Sequence, residues 1–210
     1  MKAHASRLAA CFALGAVVGT LLDGIHAHGD VLSYAEPAFG RWAAFVPLEF
    51  GLLGLAAGIL TPFLERLATP SEPEPGPRWT RARGAAELAL FAILYALTAI
   101  TPSEAAPLLA VGLGTLAVAR LVFERVPGDL LYVALATVLG PAGEIAISAT
   151  GAFDYSHPDV AGIPIWLPAL WANGGFLIRR VVQPIVCAPA APSPSGQQLR
   201  PARETGVGRS

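Results

Sequence analysis

The chain has 210 residues, of which 54% are hydrophobic and only 14% are charged, and its formal net charge is −1. Soluble domains carry about 25% charged residues, so a water-soluble fold of this size would lack the polar side chains to cover its surface. The small net charge gives no field that attracts nucleic acid. The two cysteines, Cys11 and Cys187, indicate neither a disulfide framework nor a metal site. Composition therefore favours an integral membrane protein.

Six apolar stretches follow one another along the chain. They are Leu8–Leu22, Trp42–Leu64, Ala85–Ile100, Ala105–Phe123, Leu130–Phe153 and Ile163–Val186. A membrane-spanning helix needs about 20 apolar residues, and only a helix satisfies its own backbone hydrogen bonds in lipid. The sequence therefore predicts an all-α, polytopic bundle of six transmembrane helices, residues 1–187, in the cell membrane. Residues 188–210, rich in Ala, Pro, Ser, Gly and Arg, predict a disordered cytoplasmic tail.

The first stretch has an alternative interpretation as a signal peptide. Lys2 and Arg7 would form its charged region, and Leu8–Leu22 would form its apolar core. No small-x-small cleavage site follows, because Asp23 and Gly24 come next. The sequence therefore favours a retained first helix.

Basic residues predict the topology, because cytoplasmic loops of membrane proteins are rich in Lys and Arg. If the amino terminus is cytoplasmic, all but one of the 14 Lys and Arg residues lie on the cytoplasmic side, and only Arg41 lies outside. Both termini are therefore predicted to be cytoplasmic. The inner loop between helices 2 and 3 contains Ser71–Pro77, whose prolines and glutamates are typical of an extended, solvated spacer.

Ionisable side chains inside membrane segments are costly, and they indicate functional sites by default. Asp23 at the outer end of helix 1, Glu49 in helix 2 and Glu144 in helix 5 are predicted to lie at similar depth. His26 follows Asp23 in the first outer loop. Glu87, at the inner start of helix 3, is expected to reach the lipid headgroups. The helix 1 spacing matches no specific metal site, so neither a metal nor a cofactor is predicted.

The outer polar cluster of Asp23, His26, Glu49 and Glu144 has two interpretations. In the functional one, it binds a proton, a headgroup or a metal. In the structural one, the acids are held neutral by desolvation or by hydrogen bonds. No catalytic signature decides between them, because the chain has no Gly-x-Ser-x-Gly elbow, no phosphate-binding Gly-rich Lys-Ser/Thr loop and no His-Glu-x-x-His helix.

Small and aromatic residues predict packing and membrane position. Gly51, Gly54 and Gly58 in helix 2 would let a neighbouring helix approach closely. Trp166 and Tyr155 belong to a group of aromatic residues near the outer interface, where an aromatic belt would explain them.

Three passages carry a family pattern. The longest, Gly151–Asp159, reads Gly-Ala-Phe-Asp-Tyr-Ser-His-Pro-Asp and precedes Trp-Leu-Pro at Trp166–Pro168 and the pair Gly174 and Gly175. The two shorter passages are Trp42 with Val46-Pro47, Gly51, Leu60-Thr61-Pro62 and Glu65-Arg66, and then Phe123-Glu124-Arg125. Their shared order over about residues 40–180 resembles the Insig (insulin-induced gene) family of membrane proteins, in a bacterial-type form.

The resemblance implies six membrane helices with both termini cytoplasmic and no enzymatic activity. It further implies a sterol-like or glyceride-type lipid held among the helices, and docking onto another membrane protein. Glu124 occupies the position of the family's partner-docking acid. The expected partners are therefore a membrane lipid and a second membrane protein, and no nucleic acid.

A lipid-binding bundle is the first hypothesis. Apolar ligand sites are lined by hydrophobic and aromatic residues with few polar anchors, which makes Phe91, Tyr95, Leu116 and Tyr132 the candidate lipid contacts. The mid-membrane hydroxyl of Tyr95 needs a partner, which a lipid hydroxyl or ester could supply.

Two alternatives remain open. The first is an integral membrane enzyme acting on an isoprenoid or lipid, with the outer polar cluster supplying acid and base groups. It predicts that Glu49 and Glu144 face one cavity close to Asp23. The other is a proton-coupled carrier with Glu144 as its ionisable site, although such folds usually show repeats and broken helices.

Overall fold

The computed structural model describes residues 2–70, 79–124 and 126–187 of the chain. Within them, six α-helices form one bundle, as the sequence predicts. The helices are α1 (Lys2–His28), α2 (Val46–Ala68), α3 (Arg81–Ile100), α4 (Ala106–Glu124), α5 (Asp129–Ser148) and α6 (Leu167–Val186). The predicted spacer Ser71–Pro77 and the predicted tail 188–210 lie outside the described residues.

Ion pairs and backbone contacts fix the alternating direction of the helices. Arg83 at the start of α3 binds Glu124 at the end of α4, at 2.7 Å. Arg7 near the start of α1 donates to the carbonyl oxygen of Val186 at the end of α6, at 3.2 Å. The starts of the odd helices therefore meet the ends of the even helices at one end of the bundle, which we call the arginine end.

Four short strands lie at the opposite end, which we call the strand end. Strand β1 (Leu32–Tyr34) pairs antiparallel with β4 (Phe153–Tyr155), and β2 (Pro37–Phe39) pairs with β3 (Trp42–Ala43). The all-α prediction omits these strands. They are three residues or fewer, and β1 and β4 lie far apart in the sequence, so no local periodicity indicates them.

Helix boundaries differ from the apolar stretches at the strand end. Proline at the first or second helical position starts both α2 and α6, because its fixed φ suits a helix start and it lacks a backbone N–H. Trp42, predicted as helical, therefore belongs to β3. At the end of α5, Gly151 adopts a φ of +77°, and Phe153, also predicted as helical, belongs to β4.

Helix α1 is longer than predicted and includes both Asp23 and His26, so His26 does not lie in a loop. No proline interrupts the chain before Gly29. The side chain of His28 satisfies a carbonyl within the last turn, because its Nδ1 lies 2.8 Å from the carbonyl oxygen of Gly24. The apolar count ended the helix too early because it treated polar residues as loop residues.

Among the described residues, five helices are long and apolar enough to cross a membrane, namely α1, α2, α3, α4 with its preceding 3₁₀ turn (Ser103–Ala105), and α5. Their outer faces carry exposed apolar side chains such as Val17, Leu52, Ile93 and Leu108. Such faces suit a hydrocarbon solvent and not water. The chain is thus a multi-pass membrane protein.

Helix α6 is the centre of the bundle, because it packs against each of the other five helices. Its buried residues include the polar Asn173, Arg179, Arg180 and Gln183, each at most 1% exposed. Trp166, the residue before α6, is also buried, although the sequence pattern predicted that it belongs to an aromatic belt at the membrane interface. Helix α6 is therefore surrounded by the other helices and not by lipid.

Helices α1 and α2 approach closely at their glycines. A Cβ atom on Gly54 would lie 2.3 Å from the carbonyl oxygen of Cys11, and one on Gly15 would lie 2.3 Å from that of Phe50. Real side chains do not tolerate such distances, so each position requires glycine. The predicted packing role of the helix 2 glycines is confirmed at Gly54.

Candidate lipid site and its polar ends

Two apolar cavities lie inside the bundle. The first, of about 130 Å³, lies between α1, α2, α3 and α6. The second, of about 350 Å³, lies between α2, α5 and α6. Phe50, Leu53, Ala57, Trp171 and Ile178 line both. The cavities are therefore neighbours that share one wall of α2 and α6 side chains.

The second cavity reaches the bilayer, because its lining includes the exposed side chains of Leu60 and Leu139. Gly143 also lines it, and a Cβ atom there would meet nothing within 4 Å. No Lys or Arg of the described residues lines either cavity. The site thus offers apolar space that is accessible from lipid and free of cationic anchors.

Three of the four predicted lipid contacts line these cavities. Phe91 and Tyr95 line the first cavity, and Tyr132 lines the second. Leu116 is separate from them: it lines a shallow groove between α3 and α4, beside Leu97 and Gly112. The prediction placed all four at one site because it could not tell which face of α4 points inward.

The outer polar cluster is assembled at the strand end by the pairing of β1 with β4. The hydroxyl of Tyr34 in β1 donates to Oδ2 of Asp23 at 2.7 Å. The hydroxyl of Tyr155 in β4 donates to Oε2 of Glu144 at 3.1 Å. Glu49 and Glu144 both line the second cavity. Strands β1 and β4 therefore each bring one phenol to one carboxyl group of the cluster.

The pKa values of the two strand tyrosines depend on the acids of the outer polar cluster. Burial, followed by the charges of Asp23 and Glu49, raises the pKa of Tyr34 far above its ordinary value. Burial, followed by Glu144 and with a smaller effect of Asp23, raises the pKa of Tyr155. Asp23, Glu49 and Glu144 therefore share one electrostatic environment, as their predicted depth implied.

His26 lies deeper and contacts a different partner. Its ring stacks on Tyr95, with 4.1 Å between centroids. The Thr98 hydroxyl donates to the Tyr95 carbonyl oxygen at 2.7 Å. With its single proton in use, it accepts from Nε2 of His26, also at 2.7 Å. Nδ1 of His26 is then an acceptor, and within the described residues it has no hydrogen-bond partner.

Tyr95 joins the polar cluster to the first cavity. It lines that cavity, and it stacks on His26 at the strand end. The described residues give its hydroxyl no hydrogen-bond partner, and they contain no group of three or more His, Cys, Asp or Glu side chains placed to hold a metal ion. The polar groups that line the apolar space thus include this phenol as well as the carboxyls of Glu49 and Glu144.

A network of buried ion pairs at the arginine end was not predicted. Arg179 donates to Glu65 at 2.8 and 3.1 Å and to Asp129 at 2.8 Å. Glu87 is buried and binds Arg120 at 2.5 Å, so the prediction that it reaches the headgroups is wrong. The acids and arginines of α2 to α6 neutralise one another inside the bundle.

Glu124, the predicted docking acid, belongs to the edge of this network. It accepts hydrogen bonds from Arg83, Arg120 and Arg180, and its side chain is 26% exposed. Its docking role stays a prediction. The sequence carried a signal for the network in Arg179-Arg180, a charged pair inside an apolar stretch, which the topology argument counted only as inner charge.

Comparison with solved structures decides the fold. The Insig homologue of Mycobacterium vanbaalenii superimposes with a TM-score of 0.69 at 21% identity, over 87% of this chain and 95% of that chain. A cross-linked trimer of a cysteine variant of the same homologue gives a TM-score of 0.68 at 23% identity, with the same coverage.

The chain has the Insig fold. The resemblance predicted from the three sequence passages is confirmed at the level of structure. No protein-family profile matches the chain, and no curated protein does. In this Insig-like bundle, the passage Gly151–Asp159 supplies β4 and hence the phenol that binds Glu144.

Proposed function

We propose that this chain is a non-enzymatic membrane protein that holds one neutral lipid, sterol-like or glyceride-type, among its helices. One observation carries the proposal: two apolar cavities share a wall inside the bundle, and few polar side chains line them, the ionisable carboxyls Glu49 and Glu144 among them. Ligand pockets have this composition, mostly hydrophobic and aromatic with a few placed polar groups.

The electrostatics of the site favour an uncharged lipid. The polar side chains that line the cavities include the carboxyls of Glu49 and Glu144 and the phenols of Tyr95 and Tyr132, and no basic side chain of the described residues lines the space. A phosphate or carboxylate headgroup would lie beside like charges and lose its hydration without a cationic partner. A hydroxyl-bearing lipid would instead donate to a carboxyl oxygen and accept from the phenol.

The first experiment is native mass spectrometry of the detergent-purified protein, followed by extraction and identification of the bound lipid. We expect one neutral lipid per chain. In the variant Gly143→Leu, the new side chain starts in the lining of the second cavity with no atom within 4 Å of its Cβ, and leucine favours a helix more than glycine does. The protein should stay folded while lipid occupancy falls about tenfold, which corresponds to about 1.4 kcal/mol of lost binding.

Gly114→Leu is the matched control. Gly114 also lies in a membrane helix with nothing within 4 Å of a Cβ atom, but it lines none of the cavities described above. Equal lipid occupancy in wild type, Gly143→Leu and Gly114→Leu would show that the cavity is not the binding site. Purification with no lipid at all would remove the proposal.

The alternative of a lipid-modifying enzyme has one observation in its favour, since Glu49 and Glu144 line the same cavity. The lipid itself discriminates the two functions. Under the binding proposal, a lipid incubated with the protein is recovered unchanged. Under the alternative, it is converted, and Glu144→Gln abolishes the conversion while leaving the lipid bound.

A further inference from the structure

Two buried side chains at the arginine end carry hydrogen-bond donors that find no acceptor among the described residues. The side chain of Arg180 is fully buried, yet its Nη1 has no hydrogen-bond partner among the described residues. Its Nε is also without a hydrogen bond there, but it lies 3.6 Å from Oε2 of Glu87. Trp79 presents a shielded indole Nε1–H that is equally unpaired. The guanidinium carbon of Arg180 lies 4.8 Å from the centroid of the Trp79 ring, so both donors belong to one corner of the bundle.

This corner lies at the amino-terminal end of α3. Trp79 directly precedes Thr80, the N-cap residue, whose hydroxyl accepts a hydrogen bond from the Arg83 amide at 3.1 Å. A Cβ atom on Gly84 would lie 3.3 Å from the Arg180 carbonyl oxygen, so the first turn of α3 packs directly on α6 at Arg180. The first amides of a helix have no intrahelical acceptor, and the helix dipole makes this end positive.

The acids near this corner are already neutralised. Nη2 of Arg180 binds Glu124 at 2.6 Å and Asp129 at 2.9 Å. Glu124 also binds Arg83 and Arg120, and Asp129 also binds Arg179. The acids therefore use other donors, and none of them accepts from Nη1 of Arg180 or from the Trp79 indole.

Both unpaired groups can only donate, because neither a guanidinium nor an indole N–H accepts a hydrogen bond. Each one carries the desolvation cost of a buried polar group until an acceptor reaches it. The partner they lack is therefore an acceptor, and the positive end of α3 and the exposed side chain of Arg83 favour an anionic one.

We propose that the corner formed by Trp79, Arg180 and the start of α3 binds a phosphate group. Phosphate offers several acceptor oxygens, matches the guanidinium fork and suits a helix amino terminus. The group comes either from a phospholipid headgroup at the membrane surface or from free inorganic phosphate. This site is separate from the neutral-lipid cavities and does not depend on them.

Thermal unfolding of the full chain in detergent tests the proposal, because a ligand that binds the native state raises the melting temperature with its concentration. One arm titrates sodium phosphate against sodium chloride at equal ionic strength. The other arm adds phosphatidylglycerol or a phosphate-free glycolipid to the micelles. Wild type should be stabilised by phosphate or by phosphatidylglycerol, and not by chloride or glycolipid.

The variant Trp79→Phe removes only the indole N–H and keeps an aromatic ring over Arg180. We expect it to need about tenfold more ligand for the same stabilisation, the effect of losing one hydrogen bond to a charged group. Trp42→Phe is the matched control, because Trp42 Nε1 is likewise buried and unpaired but lies at the strand end. It should titrate as wild type does, and so should Gly143→Leu.

Either source of phosphate supports the site. Stabilisation by inorganic phosphate identifies a general phosphate site, and stabilisation by phosphatidylglycerol alone identifies a headgroup site. Coincident titrations of wild type and Trp79→Phe, or no stabilisation of wild type in either arm, would overturn the inference. Loss of lipid from Gly143→Leu bears on the cavities alone, so the two proposals fail separately.

Discussion

Replacing Arg179 by methionine tests whether the ion pairs at the arginine end hold the bundle together. Arg179 is fully buried and binds Glu65 through two nitrogens and Asp129 through a third. Methionine fills similar space but removes the arginine from the buried carboxyl of Glu65, whereas Asp129 keeps its ion pair with Arg180. Breaking one side of a buried ion pair costs about 3–5 kcal/mol.

For a chain of about this length, that loss corresponds to a fall in melting temperature of about 6–20 °C. Circular dichroism in a mild detergent measures it. Arg41→Met is the control, because Arg41 and Asp30 form an ion pair whose side chains are 49% and 79% exposed. An exposed pair contributes at most about 1 kcal/mol, so the control should melt within a few degrees of wild type.

A second variant separates charge from packing. Adding Glu65→Gln to Arg179→Met removes the buried charge that lost its arginine, so the double variant should be more stable than Arg179→Met alone. If Arg179→Met melts no lower than Arg41→Met, the buried network does not stabilise the bundle. If the double variant melts lower than the single one, the cost comes from lost contacts and not from an uncompensated charge.

Two further predictions follow from the packing and from the strand end. Gly54→Ala should lower the melting temperature, because its Cβ would lie 2.3 Å from the Cys11 carbonyl oxygen, whereas Gly114→Ala should leave the melting temperature unchanged or raise it. The raised pKa values of Tyr34 and Tyr155 mean that the folded state favours the neutral phenols. The contribution of these phenols to the free energy of unfolding is therefore complete below the ordinary tyrosine pKa of about 10, and it is lost as the pH rises beyond that value. Tyr155→Phe should therefore flatten the fall in melting temperature above about pH 10, and an unchanged slope would contradict the assignment.

The helices could be predicted because their signals are local. A run of apolar residues indicates a membrane span whatever its neighbours are. The distribution of Lys and Arg predicts the direction of each span without any knowledge of contacts. The ends of the helices were harder to predict from the sequence. Asp23 and His26 belong to α1 because tertiary partners satisfy their side chains, and composition alone does not reveal such partners.

The candidate site was predictable in part. Depth along each helix placed Asp23, Glu49 and Glu144 at one level, which needs only the rise per residue. Which face each residue occupies depends on helix rotation, and for that reason Leu116 was grouped wrongly with Tyr95. The partners of Arg179 lie on α2 and α5, more than forty residues away, and no spacing rule connects them.

The enclosed position of α6 has a consequence for how the protein is made. Arg179 and Arg180 would each cost about 2.5–3.5 kcal/mol if α6 entered the centre of a bilayer alone. The acids that neutralise them belong to α2, α3, α4 and α5, all of which are synthesised earlier. Helix α6 therefore inserts between helices that already carry the acids for its two arginines. A chain shortened before α6 would lack the arginines that bind Glu65 and Asp129, although Glu87 and Glu124 would keep Arg120 and Arg83. Cellular quality control should degrade such a chain.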